Sequence, residues 1–190
     1  MLNRMGKFTS ESVDRAFVGM GRKTAAIVSD IVKQSQDRNA VLIFAATVKH
    51  AEEVMASLPP EISAIITGET KDRSKILKMV ENGEIKYVVN VGVLTVGVDL
   101  PIVDVIALMR QSESVRLLQQ IVGRGLRLYK GKKDCLILDY GQNVENHFPD
   151  GDLFDPKVTA CKPKGEAYPI QAKCPACYYE NTFSCIPDYI

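Results

Sequence analysis

The middle of the chain alternates short apolar runs with segments in which apolar residues recur every three or four positions. Five runs predict strands: AVLIF (40–44), ISAII (62–66), YVVNV (87–91), VDVIAL (103–108) and CLILD (135–139). Amphipathic helices are predicted at 24–37, from Thr47 to the Pro59–Pro60 pair, in the stretch that ends near Gly83, and at about 114–122. Because the strands are apolar on both faces, the pattern predicts an α/β fold, a parallel sheet with helices on both faces.

The same periodicity divides the chain into three parts. Residues 1–20 have weak periodicity and are expected to form a linker or docking segment, and residues 21–150 are expected to form the α/β domain. After Tyr140, Asn, Asp, Gly and Pro become frequent and the apolar periodicity fades. Residues 151–190 are therefore expected to form a separate tail.

Composition narrows the classes of function. The chain has 190 residues, 46% hydrophobic and 25% charged, which suits one globular domain with an appendage. It has no apolar run of membrane-span length and no N-terminus of signal-peptide type, so we expect a cytoplasmic protein without membrane contacts. The net charge is only +1, so a nucleic-acid surface needs a local cluster of Lys and Arg.

Four of the five cysteines fall in the final thirty residues. Clustered thiols without a secretory signal favour a metal over disulfides, and Cys174-Pro-Ala-Cys177 has the spacing of a zinc knuckle. Cys161 and Cys185 complete four candidate Zn²⁺ ligands of a zinc-ribbon-like appendage, although the gaps are irregular. A zinc site completed by residues beyond 190, and free thiols, are the alternatives. His147 is a remote alternative ligand.

Several other residues receive structural interpretations. Cys135 is expected to be a small buried hydrophobe, and His147 to form a hydrogen bond nearby. Arg73 is expected to make an internal ion pair, and the KGKK run (130–133) to form a solvated hairpin turn.

The segment GMGRKT (19–24) invites comparison with a phosphate-binding loop. It departs from G-x-x-x-x-G-K-[ST], because Arg22 precedes Lys23 and Phe17 occupies the first-glycine position. The chain also lacks an acidic magnesium-binding box of the D-E-x-[DH] type. We therefore expect it not to hydrolyse ATP on its own.

A more informative segment is VNVGVLTVGVDLP (89–101). It follows a predicted strand, which is where ligands bind in open α/β sheets. Gly92 and Gly97 bracket the exit from this strand. Asp99 can accept hydrogen bonds from ribose hydroxyls, and Thr95 with backbone N–H groups can bind a phosphate. The alternative is a tight turn in which Asp99 caps the local backbone.

The segment QQIVGRGLR (119–127) places three polar side chains near one face of a helix and its exit turn. Gln120, Arg124 and Arg127 recur at intervals of four and three, which favours an anion site. The alternative is a solvated helix end, in which the arginines meet the last carbonyls and Gly125 is the stop signal.

In this order, VLIFAATVKHAEEV, ITGETKDRSKILKMV, VLTVGVDLP and QQIVGRGLR resemble the C-terminal RecA-like lobe of superfamily 2 helicases and translocases, with motifs IV, V and VI in sequence. The resemblance covers about residues 24–142, and Q-x-x-G-R-x-x-R (120–127) is its most specific element. With the continuation ILDYGQNVENH and the cysteine-containing tail, the chain is most similar to RadD (YejH-type) DNA-repair helicases. The resemblance implies a RecA-like (P-loop NTPase-type) fold.

The resemblance also implies a function. The chain would be the second motor lobe of an ATP-dependent DNA helicase or translocase, completing an ATP/Mg²⁺ site held mainly by a first lobe. Arg127 and Arg124 would be arginine fingers supported by Gln120, since a guanidinium matches spread phosphate charge. Gly123 and Gly125 would let the backbone approach closely.

Nucleic-acid contacts are implied at Ala45, Thr47, Thr67, Gly68 and Thr95, with Arg110 and Ser112 as further candidates. Amides and hydroxyls on phosphates give the sequence-independent grip that a stepping motor requires. We expect DNA more than RNA, the first RecA-like lobe as partner, and a monomer. The alternatives are an RNA helicase lobe, or a non-enzymatic DNA- or protein-binding module with a zinc tail.

Overall fold

The computed structural model of the chain describes residues 14, 18–92, 100–112, 114–149 and 153, and the backbone of 170–173 and 180–183. The chain consists of two compact units, Met1–Asp155 and Pro156–Ile190. The elements of the first unit are, in chain order, α1 (Gly21–Gln34), β1 (Ala40–Phe44), α2 (Val48–Met55), a 3₁₀ turn (Pro60–Ile62), β2 (Ser63–Ile66), α3 (Arg73–Glu81), β3 (Tyr87–Asn90), β4 (Val103–Leu108), α4 (Val115–Gly125), β5 (Leu136–Asp139) and α5 (Asn143–His147).

The five predicted strands form one sheet in which every pairing is parallel. Their order is β2-β3-β1-β4-β5, with β1 at the centre between β3 and β4. The predicted α/β fold is thereby confirmed, and each strand lies within one residue of its predicted bounds. Because all five strands run the same way, their last residues lie along one edge, here called the carboxyl edge.

The core lies on both faces of this sheet, as the doubly apolar strands predicted. On one face Val41 and Ile43 of β1 pack with Val28 of α1 and Val54 of α2. The other face buries Leu42 and Phe44 together with residues of α3 and α4, namely Val80, Leu118, Ile121 and Val122. The alternation along β1 follows the two-residue period of a strand, so successive side chains enter different halves of the core.

α4 is longer than predicted, because it passes through both glycines of QQIVGRGLR. Ser114 caps its N-terminus by accepting the Leu117 N–H at 3.2 Å, and the helix ends at Gly125. Gly125 is therefore not a left-handed stop residue. A Cβ on Gly125 would overlap Cys135 Sγ and lie 2.9 Å from Ile106 Cδ1. The glycine is required because α4 packs closely against the sheet at this point.

The second unit contains two antiparallel strands, β6 (Ile170–Lys173) and β7 (Glu180–Phe183), with Ile170 opposite Phe183. The four candidate zinc ligands, Cys161, Cys174, Cys177 and Cys185, lie outside the described residues, so the zinc site stays a prediction. Among the described residues no group of three or more His, Cys, Asp or Glu is arranged to hold a metal ion. None of the helices in the described ranges combines the length and apolar character needed to cross a bilayer.

Candidate nucleotide and nucleic-acid surfaces

α4 has one buried face and one face that carries the candidate phosphate-binding residues. Leu118, Ile121 and Val122 are buried, whereas Gln120 is exposed and Arg124 is partly exposed. Gln120 and Arg124 are four residues apart, so they are neighbours on the helix surface, with Gln120 on the outward side and Arg124, whose Nε is buried, at the margin of the buried face. The structure therefore confirms that these two side chains share a face of α4.

Arg127 lies just beyond α4 and is exposed. The stretch 115–133 contains six basic residues and no acidic one, so it is a local concentration of positive charge on a chain of net charge +1. The next acidic residue, Asp134, forms an ion pair with Arg38. Exposed guanidinium groups in a segment without carboxylates suit an anionic ligand.

The KGKK run is not simply a solvated turn. The Lys132 N–H donates to the Tyr129 carbonyl at 3.1 Å, and Gly131 between them has φ 85°. The Lys132 ammonium donates to the carbonyl oxygens of Pro101, Val103 and Arg127. The predicted hairpin turn is therefore present, but the prediction that this lysine is solvated is wrong, because the turn directs it onto backbone carbonyls.

At the end of β2, the loop that carries Thr67 and Gly68 is held by a side chain from the next helix. Arg73 Nη2 donates to the Thr67 carbonyl at 3.1 Å and to the Gly68 carbonyl at 2.8 Å. The predicted ion pair of Arg73 is therefore wrong: α3 begins one turn after the loop, so the guanidinium meets backbone carbonyls. Thr70 Oγ1 accepts the Thr67 N–H at 2.9 Å. The Gly68 N–H has no hydrogen-bond partner among the described residues.

The loop after β1 carries the next two candidates. Thr47 caps α2 by accepting the His50 N–H at 3.2 Å, so the helix begins at Val48, next to its predicted start. Ala45 is fully buried and its N–H donates to the Asn90 carbonyl at 3.0 Å, so neither its side chain nor its amide is presented to a ligand here. His50 Nδ1 accepts the Ala46 N–H at 3.3 Å. Burial lowers the pKa of His50, and Glu53 only partly opposes this shift.

The loop after β4, residues 109–114, carries Arg110 and Ser112. Ser112 is largely buried, and its hydroxyl donates to the Ser114 carbonyl at 2.9 Å, which engages this candidate internally. Arg110 is partly exposed, and its Nε donates to the Gln111 carbonyl at 3.3 Å. Arg110 is thus the side chain of the pair that remains accessible at the carboxyl edge.

The sequence interpretation did not identify what holds this loop, which is the segment after β5. Asn143 is 1% exposed; its Nδ2 donates to the Arg110 carbonyl at 2.9 Å, and its Oδ1 accepts the Ser112 N–H. His147 Nε2 lies 2.8 Å from the Ser112 carbonyl, so its predicted nearby hydrogen bond is confirmed. A Cβ on Gly141 would overlap the Arg110 carbonyl oxygen. The signal for this clamp was the run of polar residues in DYGQNVENH.

The candidate residues therefore separate into two surfaces. Five residues named as nucleic-acid contacts follow the ends of β1, β2 and β4 along the carboxyl edge: Ala45, Thr47, Thr67, Gly68 and Arg110. Arg127 lies instead near the amino-terminal end of β4, because Lys132 bridges its carbonyl to that of Val103. Three further candidates lie outside the described residues: Thr95, Gly97 and Asp99.

A family comparison decides which proteins share this arrangement. The family described as the helicase conserved C-terminal domain matches residues 23–129, more than half of the chain. The chain belongs to this helicase family. The predicted resemblance to the C-terminal lobe of superfamily 2 helicases is thereby confirmed, while the narrower similarity to RadD-type proteins stays a prediction.

Curated relatives of this helicase domain are much longer than the region they share with it. This chain is 33% identical over 112 residues to IRC3 of Saccharomyces cerevisiae. It is 36% identical over 114 residues to irc3 of Schizosaccharomyces pombe, which is named as a mitochondrial protein. Both names include ATP-dependent helicase, and each alignment covers 57% of this chain but only 16% and 19% of the relative. A 51.5 kDa protein of a Lactococcus phage is 30% identical over 185 residues, which covers 90% of this chain and 39% of the phage protein.

Solved structures share the fold of the helicase domain. A fragment described as the HsdR subunit of a type I restriction enzyme from Vibrio vulnificus YJ016 has a TM-score of 0.61 at 25% identity, covering 78% of this chain and 32% of that chain. The Escherichia coli DEAD-box protein SrmB has a TM-score of 0.55 at 18% identity, covering 66% of this chain and 75% of that chain. These likenesses confirm the predicted RecA-like fold.

Proposed function

We propose that this domain is the second motor lobe of an ATP-dependent DNA helicase or translocase. The observation that carries the proposal is the face of α4 that presents exposed Gln120 and partly exposed Arg124, with Arg127 following in an exposed turn. The surrounding stretch 115–133 contains six basic residues and no acidic one. The donor set fits the phosphates of ATP held on a first RecA-like lobe, with Mg²⁺ bound by that lobe.

Arg127 and Arg124 act as arginine fingers in this proposal. Bound ATP supplies the phosphoryl group that is transferred to water. The guanidinium groups stabilise charge that spreads over the phosphate oxygens, and Gln120 supports their orientation from one turn earlier on α4. Because the chain has no phosphate-binding loop of the G-x-x-x-x-G-K-[ST] type, we expect the isolated domain to be inactive as an ATPase.

The carboxyl edge forms the nucleic-acid track in the same proposal. Gly68 is exposed, and Arg73 fixes its loop by donating hydrogen bonds to the Thr67 and Gly68 carbonyls. The Thr47 hydroxyl and the Arg110 guanidinium follow along the same edge. Contacts of this kind bind phosphates without selecting a sequence, so closure of the two lobes moves the strand whatever its bases.

The choice of DNA rests on the predicted RadD-type similarity. It agrees with the likeness, at 25% identity, to a fragment described as a subunit of a type I restriction enzyme. Single-stranded DNA is the expected activator, and because the 2′-hydroxyl is the group that distinguishes RNA, a comparison of DNA with RNA tests this choice.

Reconstitution tests the proposal. ATP hydrolysis is measured for the isolated domain, for the first lobe, and for the two lobes together, each with no nucleic acid, with single-stranded DNA and with RNA. We expect turnover only with both lobes present and stimulation by DNA above that by RNA. Equal or greater stimulation by RNA contradicts the choice of DNA. ATP hydrolysis by the isolated domain contradicts the expectation that both lobes are needed for turnover.

A further inference from the structure

Lys132 makes a set of contacts that its neighbours in the KGKK run do not make. Its Nζ lies 3.2 Å from the Pro101 carbonyl, 2.5 Å from that of Val103 and 3.1 Å from that of Arg127. An ammonium carries three N–H donors, so these carbonyls satisfy all of them. Lys130 and Lys133 are exposed and form no hydrogen bond or ion pair with a described residue.

The three acceptors belong to two segments of the chain that are far apart in sequence. Pro101 is the last residue of VLTVGVDLP (93–101), the predicted motif V, and Val103 is the first residue of β4. Arg127, the candidate arginine finger, lies in the turn that follows α4, which is here called the arginine turn. One side chain therefore joins the end of motif V to the main chain of the arginine turn.

The local structure makes this contact specific. The Lys132 N–H closes a four-residue turn on the Tyr129 carbonyl, and Gly131 adopts φ 85°, which favours glycine over other residues. Burial lowers the pKa of the Lys132 ammonium, and Cys135 and Asp104 only partly oppose this shift. Asp104 is itself engaged by the Asn39 and Ala40 N–H groups, so the ammonium acts mainly on neutral carbonyls.

We propose that Lys132 is a positioning residue for Arg127, fixing the main chain of the arginine turn against the amino-terminal end of β4. This inference rests on the proposed function of Arg127. A charged donor shared between three carbonyls restrains that turn more strongly than a neutral side chain. The position of the Arg127 guanidinium on another lobe depends on the position of the Arg127 main chain, so loss of the restraint misplaces the guanidinium. Misplacement by about 1 Å lowers turnover by about 10²-fold.

The test uses the helicase with both lobes present and measures DNA-stimulated ATP hydrolysis. The variants are Lys132→Met, Lys132→Arg, Arg127→Ala and the double variant Lys132→Met/Arg127→Ala, with Lys133→Met as the matched exposed control. We expect Lys132→Met to lower kcat by about 10²-fold with little change in KM, because only the transition-state contact is weakened. Lys133→Met should keep wild-type kcat.

The double variant separates positioning from a general effect on structure. If Lys132 acts through Arg127, then Lys132→Met causes no further loss of kcat in the Arg127→Ala background. Multiplied losses, or an equal loss of DNA affinity and kcat, overturn the inference. Should Lys132→Met fail to fold, Lys132→Arg carries the test: its planar fork cannot reproduce three converging bonds, so reduced kcat is expected and full kcat overturns the inference.

Failure of the proposed function is distinguishable from failure of this inference. Arg127→Ala with wild-type turnover overturns the arginine-finger function, and the positioning role falls with it. Collapse of turnover in Arg127→Ala beside wild-type turnover in Lys132→Met and Lys132→Arg overturns the positioning role alone.

Discussion

Gly125 provides the sharpest test of how α4 is placed on the sheet. In a helix interior, replacing glycine by alanine normally stabilises by about 1 kcal/mol. At Gly125 the new Cβ would overlap Cys135 Sγ, and would lie 2.9 Å from Ile106 Cδ1 and 3.3 Å from Cys135 Cβ. Ordinary carbon contacts are about 3.5–4.0 Å, so the thiol and the isoleucine must both shift. Overpacking of this kind costs about 1–3 kcal/mol, which cancels or outweighs the gain in helix propensity.

Gly123 is the matched control, because it lies in the same helix with nothing within 4 Å of a Cβ. Gly123→Ala should raise the free energy of unfolding by about 0.5–1 kcal/mol. Gly125→Ala should leave the chain about 1–3 kcal/mol less stable than Gly123→Ala. Urea denaturation with unchanged m-values measures both free energies.

A second substitution tests the cause. Adding Cys135→Ala removes the overlapping sulfur, so the destabilisation of the double variant should be smaller than the sum of the two single effects. Equal stabilisation by Gly125→Ala and Gly123→Ala, or strict additivity with Cys135→Ala, would show that α4 does not pack against β4 and Cys135 as described.

Two further predictions concern stability. Asn143→Ala removes the clamp on the 109–114 loop and leaves the buried Ser112 N–H unsatisfied, so unfolding in urea should require about 1–3 kcal/mol less free energy; exposed Asn146→Ala should change little, and equal effects would contradict the clamp. Burial lowers the pKa of His50 below its ordinary value of 6.5. The unfolded chain then binds a proton at His50 more readily than the folded chain does. The stability contributed by neutral, buried His50 is therefore fully present above about pH 6.5 and is lost as the pH falls below it. Urea midpoints across that range should fall less in His50→Gln than in wild type, and identical profiles would contradict the assignment.

The sheet and its helices follow from sequence because each strand and helix has its own apolar period. Val41 and Ile43 alternate with Leu42 and Phe44, and this two-residue alternation alone indicates that both faces are covered. Parallel order then places the loops after Phe44, Ile66 and Leu108 at one edge. The nucleic-acid candidates on those loops could therefore be grouped before the structure was known.

The contacts that position the candidate residues could not be predicted in this way. Lys132 reaches Val103 across 29 residues of sequence only because Gly131 turns the chain back. The bonds from Arg73 to the Thr67 and Gly68 carbonyls depend on where α3 begins. Both a helix stop and a close backbone approach were open interpretations of Gly125, because glycine serves both uses and the sequence pattern does not distinguish them.

ATP hydrolysis by the two-lobed protein carrying Arg127→Ala tests the proposed motor function most directly. The measurement compares wild type, Arg127→Ala and the exposed control Lys130→Ala with single-stranded DNA, and records DNA affinity in parallel. We expect Arg127→Ala to lose about 10³-fold or more in turnover while retaining DNA affinity, and Lys130→Ala to match wild type. Wild-type turnover in Arg127→Ala would contradict the arginine-finger role and favour a domain that only binds.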